Sequence, residues 1–186
     1  MSVIAWVLTA KATSLYELIR CDSRPISASH KENSMDPALA KPFIKATKDV
    51  LAAMAALEVS AGTPYVKKDK MARGDVSAVI GVTGDKSGTF SISFDRKTAV
   101  HIVKQMLGDA IEDIMQDVQD AVGEITNMIS GHARVGLADM GLKLQGSTPS
   151  VIMGDNHTIA HMTSSMAMAI PFTCEAGNFT LEFCFD

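Results

Sequence analysis

The spacing of apolar positions changes several times along the chain, and each change marks an element. Phe43, Ile44, Thr47, Val50, Leu51 and Met54 recur at helical spacing. They predict a first helix that begins at Asp36-Pro37 or at Pro42 and runs to about Leu57. Asp before Pro suits an N-cap followed by the first helical position, and Gly62-Thr63-Pro64 breaks the pattern. The period then drops to two. Val76, Ala78, Ile80 and Val82 alternate with Ser77 and Gly81, and Phe90, Ile92 and Phe94 alternate with Thr89, Ser91 and Ser93. With the turn Gly84-Asp85-Lys86-Ser87-Gly88 between them, these read as a β-hairpin with one buried face. Asp95 can cap a short helix carrying Val100, Val103, Met106 and Leu107, stopped at Gly108. A long helix follows from about Glu112 to Met140, ended by Gly141. Leu142–Gly146 and Ser150–Met153 read as one strand bent near Pro149. Two last strands alternate clearly, with Met166, Met168, Ile170 and Phe172 on one face and Phe179, Leu181, Phe183 and Phe185 on another, turning at Ala176-Gly177-Asn178. The order helix, hairpin, two helices, strands predicts an α+β domain whose largely antiparallel sheet carries long helices.

Residues 1–34 depart from this pattern. They open apolar (Met-Ser-Val-Ile-Ala-Trp-Val-Leu) and become polar and aperiodic through Cys21 to Ser34, which reads as a flexible or upstream extension. Either Met35 is the true initiator, or Val3 to Ile19 form a short helix that docks elsewhere. The single domain is then residues 35–186. The apolar opening has no Lys or Arg before it and is too short to cross a bilayer, and no later run reaches about 18 apolar residues. A cytoplasmic protein with no membrane partner is expected. Composition narrows the picture further. The chain of 186 residues is 47% hydrophobic but only 5% aromatic, so aliphatic residues and 12 Met must fill the core. A net charge of -4 argues against a nucleic-acid partner, which needs clustered Lys and Arg. Three cysteines, Cys21, Cys174 and Cys184, show no CxxC spacing, and no disulfide framework is expected.

Chemistry is concentrated on the long helix. At about 100° per residue, Ile111, Met115, Val118, Val122, Ile125 and Ile129 fall within about 45° of one line, the expected buried stripe. Glu124 and Asn127 fall on the opposite side, one turn apart, and Asp117 and Asp120 share that outer face. Gly123 and Gly131 flank the pair. Two helical glycines cost roughly 1 kcal/mol each relative to Ala, a cost explained either by close approach of another backbone or by tight packing of the opposite helix face. Glu-x-x-Asn alone is a weak signal, and an ordinary solvated face would look the same. The sequence supplies its own control in Glu175-Ala-Gly-Asn178, where the same spacing falls in a hairpin turn with no shared face.

The segment Gly123-Glu-Ile-Thr-Asn-Met-Ile-Ser-Gly131 resembles the signature helix of the CheC/CheX/FliY family, specifically its CheX branch. Lys41-Pro-Phe-Ile-Lys-Ala-Thr, Gly74-Asp-Val, Gly81-Val-Thr-Gly-Asp-Lys-Ser-Gly, Ser91-Ile-Ser-Phe, Ile170-Pro-Phe and Glu182-Phe-Cys-Phe fit the same branch, so the resemblance spans residues 35–186. It implies a CheC-like fold and a phosphatase that hydrolyses the phosphoaspartate of a CheY-like response regulator in chemotaxis. It further implies Asn127 as the residue orienting water, Glu124 as the partner of the regulator's lysine, and Asp120, Gly123 and Gly131 as partner-binding positions. No cofactor is expected on this chain, because the Mg²⁺ belongs to the regulator. CheC-type relatives often carry two such helices. Here a faint internal repeat lays the first helix on the second so that Lys45 and Lys48 stand where Glu124 and Asn127 stand. One site per chain follows, in a homodimer, with the edge of a terminal strand such as Asn178–Phe185 as a joining edge.

Other candidates are weaker. His157-x-x-x-His161 has metal-like spacing only in a helix, and this stretch reads as extended, so no metal site is expected. Ser164-Ser165 lacks a nucleophile-elbow context. The Met-rich stretch Met162 to Met168 reads as strand core. Beside the phosphatase stand two alternatives with the same helix face, a non-catalytic regulator-binding adaptor and a flagellar-switch-like module.

Overall fold

A computed structural model describes residues 37–69, 71–108, 114–154, 157–159, 161 and 165–186. Both readings of residues 1–34, Cys21, the N-cap at Asp36, and Ile111, Glu112, Met162 and Ser164 lie outside the described residues.

The first helix, α1 (Ala40–Ala55), is preceded by a 3-10 turn over Pro37–Leu39. It begins between the two expected starts and stops short of Leu57. The stop is a conformation the sequence does not signal. Ala56 is left-handed (φ 46°), and its N–H and that of Leu57 turn back to the Leu51 carbonyl. Phe43, Thr47, Val50 and Leu51 are buried as the spacing predicts.

Two short strands follow, β1 (Ser60–Ala61) and β2 (Tyr65–Lys67), where only a break was expected. Both pair with β7 (Ala167–Cys174) and form one sheet edge. Two or three residues carry too little alternation to be legible alone, and the partner strand defines them. The hairpin of β3 (Val76–Gly84) and β4 (Gly88–Phe94) is as expected. Helix α2 (Arg96–Leu107) is capped by Asp95, whose carboxylate accepts from the Thr98 N–H at 2.7 Å, and it ends at Gly108 with φ 58°. Helix α3 (Ile114–Asp139) ends through Gly141 at φ 86°. Strands β5 (Leu144–Gly146) and β6 (Ser150–Met153) pair successively with β3, so they act as one edge interrupted at the Pro149 link. Strand β8 (Gly177–Phe185) pairs with both β4 and β7. The antiparallel sheet runs β1-β7-β8-β4-β3-β5. The joining edge suggested for Asn178–Phe185 is therefore wrong, because β8 is interior and both its sides are hydrogen-bonded. The outer strands are β1 and β2 on one side and β5 and β6 on the other.

All three helices contribute to one core over a single sheet face. The Phe43 ring of α1 stacks on Phe183 at 4.5 Å and Phe90 at 5.2 Å, and Phe179 meets Phe94 and Phe172 at 4.9 Å each. A fully buried Phe is worth about 1.5–3 kcal/mol, with somewhat more where rings stack. Helices α1 and α3 cross where a Cβ on Gly136 would come within 3.0 Å of Pro42.

The expectation of one buried face on the hairpin fails for β4, where Thr89, Ser91 and Ser93 are buried too. On the polar face of the sheet, His157 and His161 reach the hydroxyls of β3 and β4. His157 Nε2 lies 2.7 Å from Ser77 Oγ, which donates to Ser93 Oγ at 2.6 Å. His161 Nδ1 lies 2.5 Å from Thr89 Oγ1, and Ile159 is buried. Polar residues in this alternation are ordinarily solvent-facing, and here the two histidines give the buried Thr89 and Ser77 hydrogen-bond partners, while the buried Ser91 hydroxyl has none among the described residues. Met166 departs from the buried strand face assigned to it: it precedes β7 and is 64% exposed, while Met168, Ile170 and Phe172 are buried as expected. Cys174 and Cys184 are free thiols at opposite ends of the β7–β8 hairpin.

Candidate functional site

The stripe expected on α3 holds for Val118, Val122, Ile125 and Ile129, all buried, but not for Met115, which is 58% exposed. Within the signature segment the side chains divide by role. Ile125 and Ile129 are in the core. Thr126 is buried and donates to the Val122 carbonyl at 2.7 Å. Ser130 is buried, and its carbonyl accepts from Arg134 Nε at 3.2 Å. Glu124 and Asn127 point to solvent. Burial of the intervening residues fixes the helix roll, so the two outward side chains are held one turn apart on a rigid element.

They are not on a bare convex face. Asp120, Gly123, Glu124 and Asn127 form one wall of an open hollow of about 330 Å³, and Thr148, Pro149 and Val151 form the other. Gly123 is where helix and strand come together, since a Cβ there would sit 3.4 Å from Val151 Cγ2. The nearest atom to a Cβ on Gly131 would be the Arg134 guanidinium, 3.9 Å away, so that flank is open. The two glycines thus have different surroundings: Gly123 is packed against β6, and Gly131 leaves clear surface one turn beyond Asn127. Asp120 accepts a hydrogen bond from Gln116 Nε2 at 2.9 Å along the helix.

Chemically the site offers a carboxylate and a primary amide, free to turn, above a floor without a side chain. Asn carries two donors and one acceptor at a fixed spacing, and Glu⁻ only accepts. This set can hold a water or bind a cation from outside. Sequence reasoning placed Glu124 and Asn127 on one outward helix face, as the structure does, and did not bring the link at Thr148 and Pro149 beside them. Nothing local marks that link, because it reaches α3 only through the pairing of β5 and β6 with β3. The other spacings come out differently. Glu175 stands in the β7–β8 turn while Asn178 is on β8, so they share no helix face. His157 and His161 reach separate hydroxyls, Ser77 and Thr89.

The family described as chemotaxis phosphatase CheX matches residues 76–173, a span that contains the whole of α3. The chain belongs to the CheX family. A putative chemotaxis protein from Desulfovibrio vulgaris Hildenborough is 61% identical and superposes with a TM-score of 0.77, covering 80% of this chain and 97% of that one. The CheY-P phosphatase CheX of Thermotoga maritima is 25% identical over 121 residues, 64% of this chain and 78% of the relative. A CheX–CheY–BeF3–Mg²⁺ complex from Borrelia burgdorferi contains a chain 25% identical with a TM-score of 0.67, covering 79% of this chain and 97% of that one. The α+β architecture with its antiparallel sheet is thus that of CheX and CheC-like proteins. Among the described residues, no helix is long and apolar enough to cross a membrane.

Proposed function

We propose that this CheX family member ends a chemotaxis signal by hydrolysing the phosphoaspartate of a CheY-like response regulator, with Asn127 and Glu124 as the residues that enter the regulator's site. The observation that carries this reading is the pairing of Glu124 and Asn127, exposed and one turn apart, on a helix that buries Ile125, Thr126, Ile129 and Ser130 of the same segment. The Thermotoga relative, named as a CheY-P phosphatase, and the Borrelia complex of CheX with CheY support the substrate class.

An acyl phosphate is already activated, so catalysis reduces to placing water in line and complementing charge. The Asn127 carbonyl accepts a hydrogen bond from the attacking water and leaves the oxygen lone pair aimed at phosphorus. The new P–O bond forms as the bond to the aspartyl oxygen breaks, which releases inorganic phosphate and a free carboxylate. Glu124 pairs with a lysine of the regulator and sets the register of the two proteins. The Mg²⁺ is the regulator's, and no cofactor is assigned to this chain. Asp120 and Gly131 are assigned to the docking surface, and Gly123 to the floor of the hollow. Helix α1 presents exposed Lys45 and Lys48 in place of a second motif, with Lys45 paired to Asp49, which favours one site per chain. A cytoplasmic homodimer is part of the same proposal.

The test is phosphate release from a phosphorylated CheY-like regulator. Wild type should accelerate release, and Asn127→Ala should remove the gain by roughly a hundredfold, about 3 kcal/mol. Binding of the regulator with no acceleration would replace this reading with that of a non-catalytic adaptor.

A further inference from the structure

Two side chains are a small part of any contact between folded proteins. A specific interface covers roughly 800 Å² on each partner, so a regulator that brings its phosphoaspartate to Asn127 must also touch whatever stands beside it. On one flank, past Gly131, the nearest atom to a Cβ would be in the Arg134 guanidinium at 3.9 Å, and Val135 is 66% exposed. On the other stands the β5–β6 link. Thr148 and Pro149 face Gly123, Glu124 and Asn127 across the hollow.

This link is built to hold its shape. The Ser147 N–H donates to the Gly81 carbonyl at 2.8 Å, and the Gly81 N–H donates to Ser147 Oγ at 3.0 Å. The same hydroxyl donates to the Thr148 carbonyl at 3.2 Å. Pro149 fixes its own φ, and β5 and β6 fasten both ends to β3. A side chain on Gly81 would crowd Ser147, since a Cβ would come within 3.4 Å of Oγ. A wall ordered in advance loses little entropy when a partner closes on it. Among the described residues, the side chains lining the hollow include the carboxylates of Asp120 and Glu124 and no Lys or Arg.

We infer that the Ser147–Pro149 link is a second docking element of the site, in which Thr148 and Pro149 contact the CheY-like regulator as it reaches Asn127 and Ser147 is the positioning residue that holds them. This rests on the phosphatase reading and adds to it a non-helical specificity surface. It gives the regulator one allowed side of approach, because the wall blocks the other.

The experiment is phosphate release measured against regulator concentration for wild type, Thr148→Lys, Thr148→Val, Ser147→Ala and Ser147→Thr, with thermal unfolding of each. Thr148→Lys puts bulk and an ammonium beside Asp120 and Glu124 at an exposed position. It should raise KM about tenfold with kcat within about twofold of wild type, and Thr148→Val, which keeps the size of the side chain and loses its hydroxyl, should raise KM less. Ser147→Ala should raise KM in the same sense and Ser147→Thr should restore it, a split that general destabilisation would not produce. An unchanged KM for Thr148→Lys overturns the inference. If wild type does not accelerate release at all, the phosphatase reading fails. The link is then judged by titration with the BeF3-loaded regulator, where about tenfold weaker binding of Thr148→Lys supports it and equal binding overturns it. Absence of binding by wild type overturns both.

Discussion

Lys67 at the sheet edge reaches across β7 to set its ammonium 2.6 Å from the carboxylate of Glu182 on β8, with both side chains almost wholly buried. Ala167 stands opposite Lys67 and Ala169 opposite Glu182, and these small side chains leave room for the lysine stem. Lys67 also donates to the Met71 carbonyl, and His161 Nε2 lies 3.4 Å from the second Glu182 oxygen. Removing one partner leaves an uncompensated buried charge. Lys67→Met should therefore cost about 3–5 kcal/mol, whereas Lys67→Met with Glu182→Leu should recover most of that loss. Denaturant unfolding of the two single variants and the double variant gives the coupling. Additive losses would mean that the pair does not interact.

Asp95 ties three elements together. Its carboxylate accepts from the Thr98 N–H at 2.7 Å and from the Asn178 N–H at 2.9 Å. Partial burial alone would raise its pKa. The hydrogen bonds from Thr98 and Asn178, with the charge of Lys97, outweigh that and hold it below the usual 3.8. A lowered folded value means that the stabilisation is fully present above the unfolded pKa and is lost as pH falls through the folded one. Asp95→Ala should cost about 1 kcal/mol at neutral pH and should flatten the acid limb of a stability-against-pH curve. A parallel acid limb in the variant would exclude Asp95 as its source.

Ala56 ends α1 in a left-handed conformation that costs an L-residue about 1 kcal/mol. Glycine takes that conformation freely. Ala56→Gly should move the denaturant midpoint upward by the equivalent of about 0.5–1 kcal/mol, with an unchanged slope. A lower midpoint would show that the cost of the alanine is repaid by its side chain.

Asn127 should display opposite effects on activity and stability. It is exposed in a helix interior, where Ala is preferred to Asn by about 0.5 kcal/mol. Asn127→Ala is therefore expected to abolish accelerated phosphate release while raising the unfolding midpoint slightly. Loss of both activity and stability would assign Asn127 a structural role instead.

Periodicity carried most of the architecture and the outward placement of Glu124 and Asn127 on α3. The α3 stripe, the β3–β4 hairpin and the β7–β8 pair were legible because each is long enough for alternation to be counted, and Gly108 and Gly141 mark helix ends in the chain itself. What was not legible depends on distant partners. Strands β1 and β2 exist through β7. Thr89 of β4 is buried with His161 as its hydrogen-bond partner. The wall at Thr148 comes to α3 through β3. The interior place of β8 is a property of pairing order, which alternation along a single strand does not contain.

That pairing order also governs how the fold can be reached. The β3–β4 and β7–β8 hairpins are local and can close early, but β4 meets β8 only after α2 and α3 have been bridged. Joining the two hairpins is the non-local step, and such steps slow folding. Until it happens, Phe90, Ile92 and Phe94 lack the neighbours Phe183, Leu181 and Phe179 that lie opposite them, and two adhesive strand edges stand open. Refolding at raised protein concentration should therefore lose yield to aggregation at this stage, before the last seam of the sheet has closed.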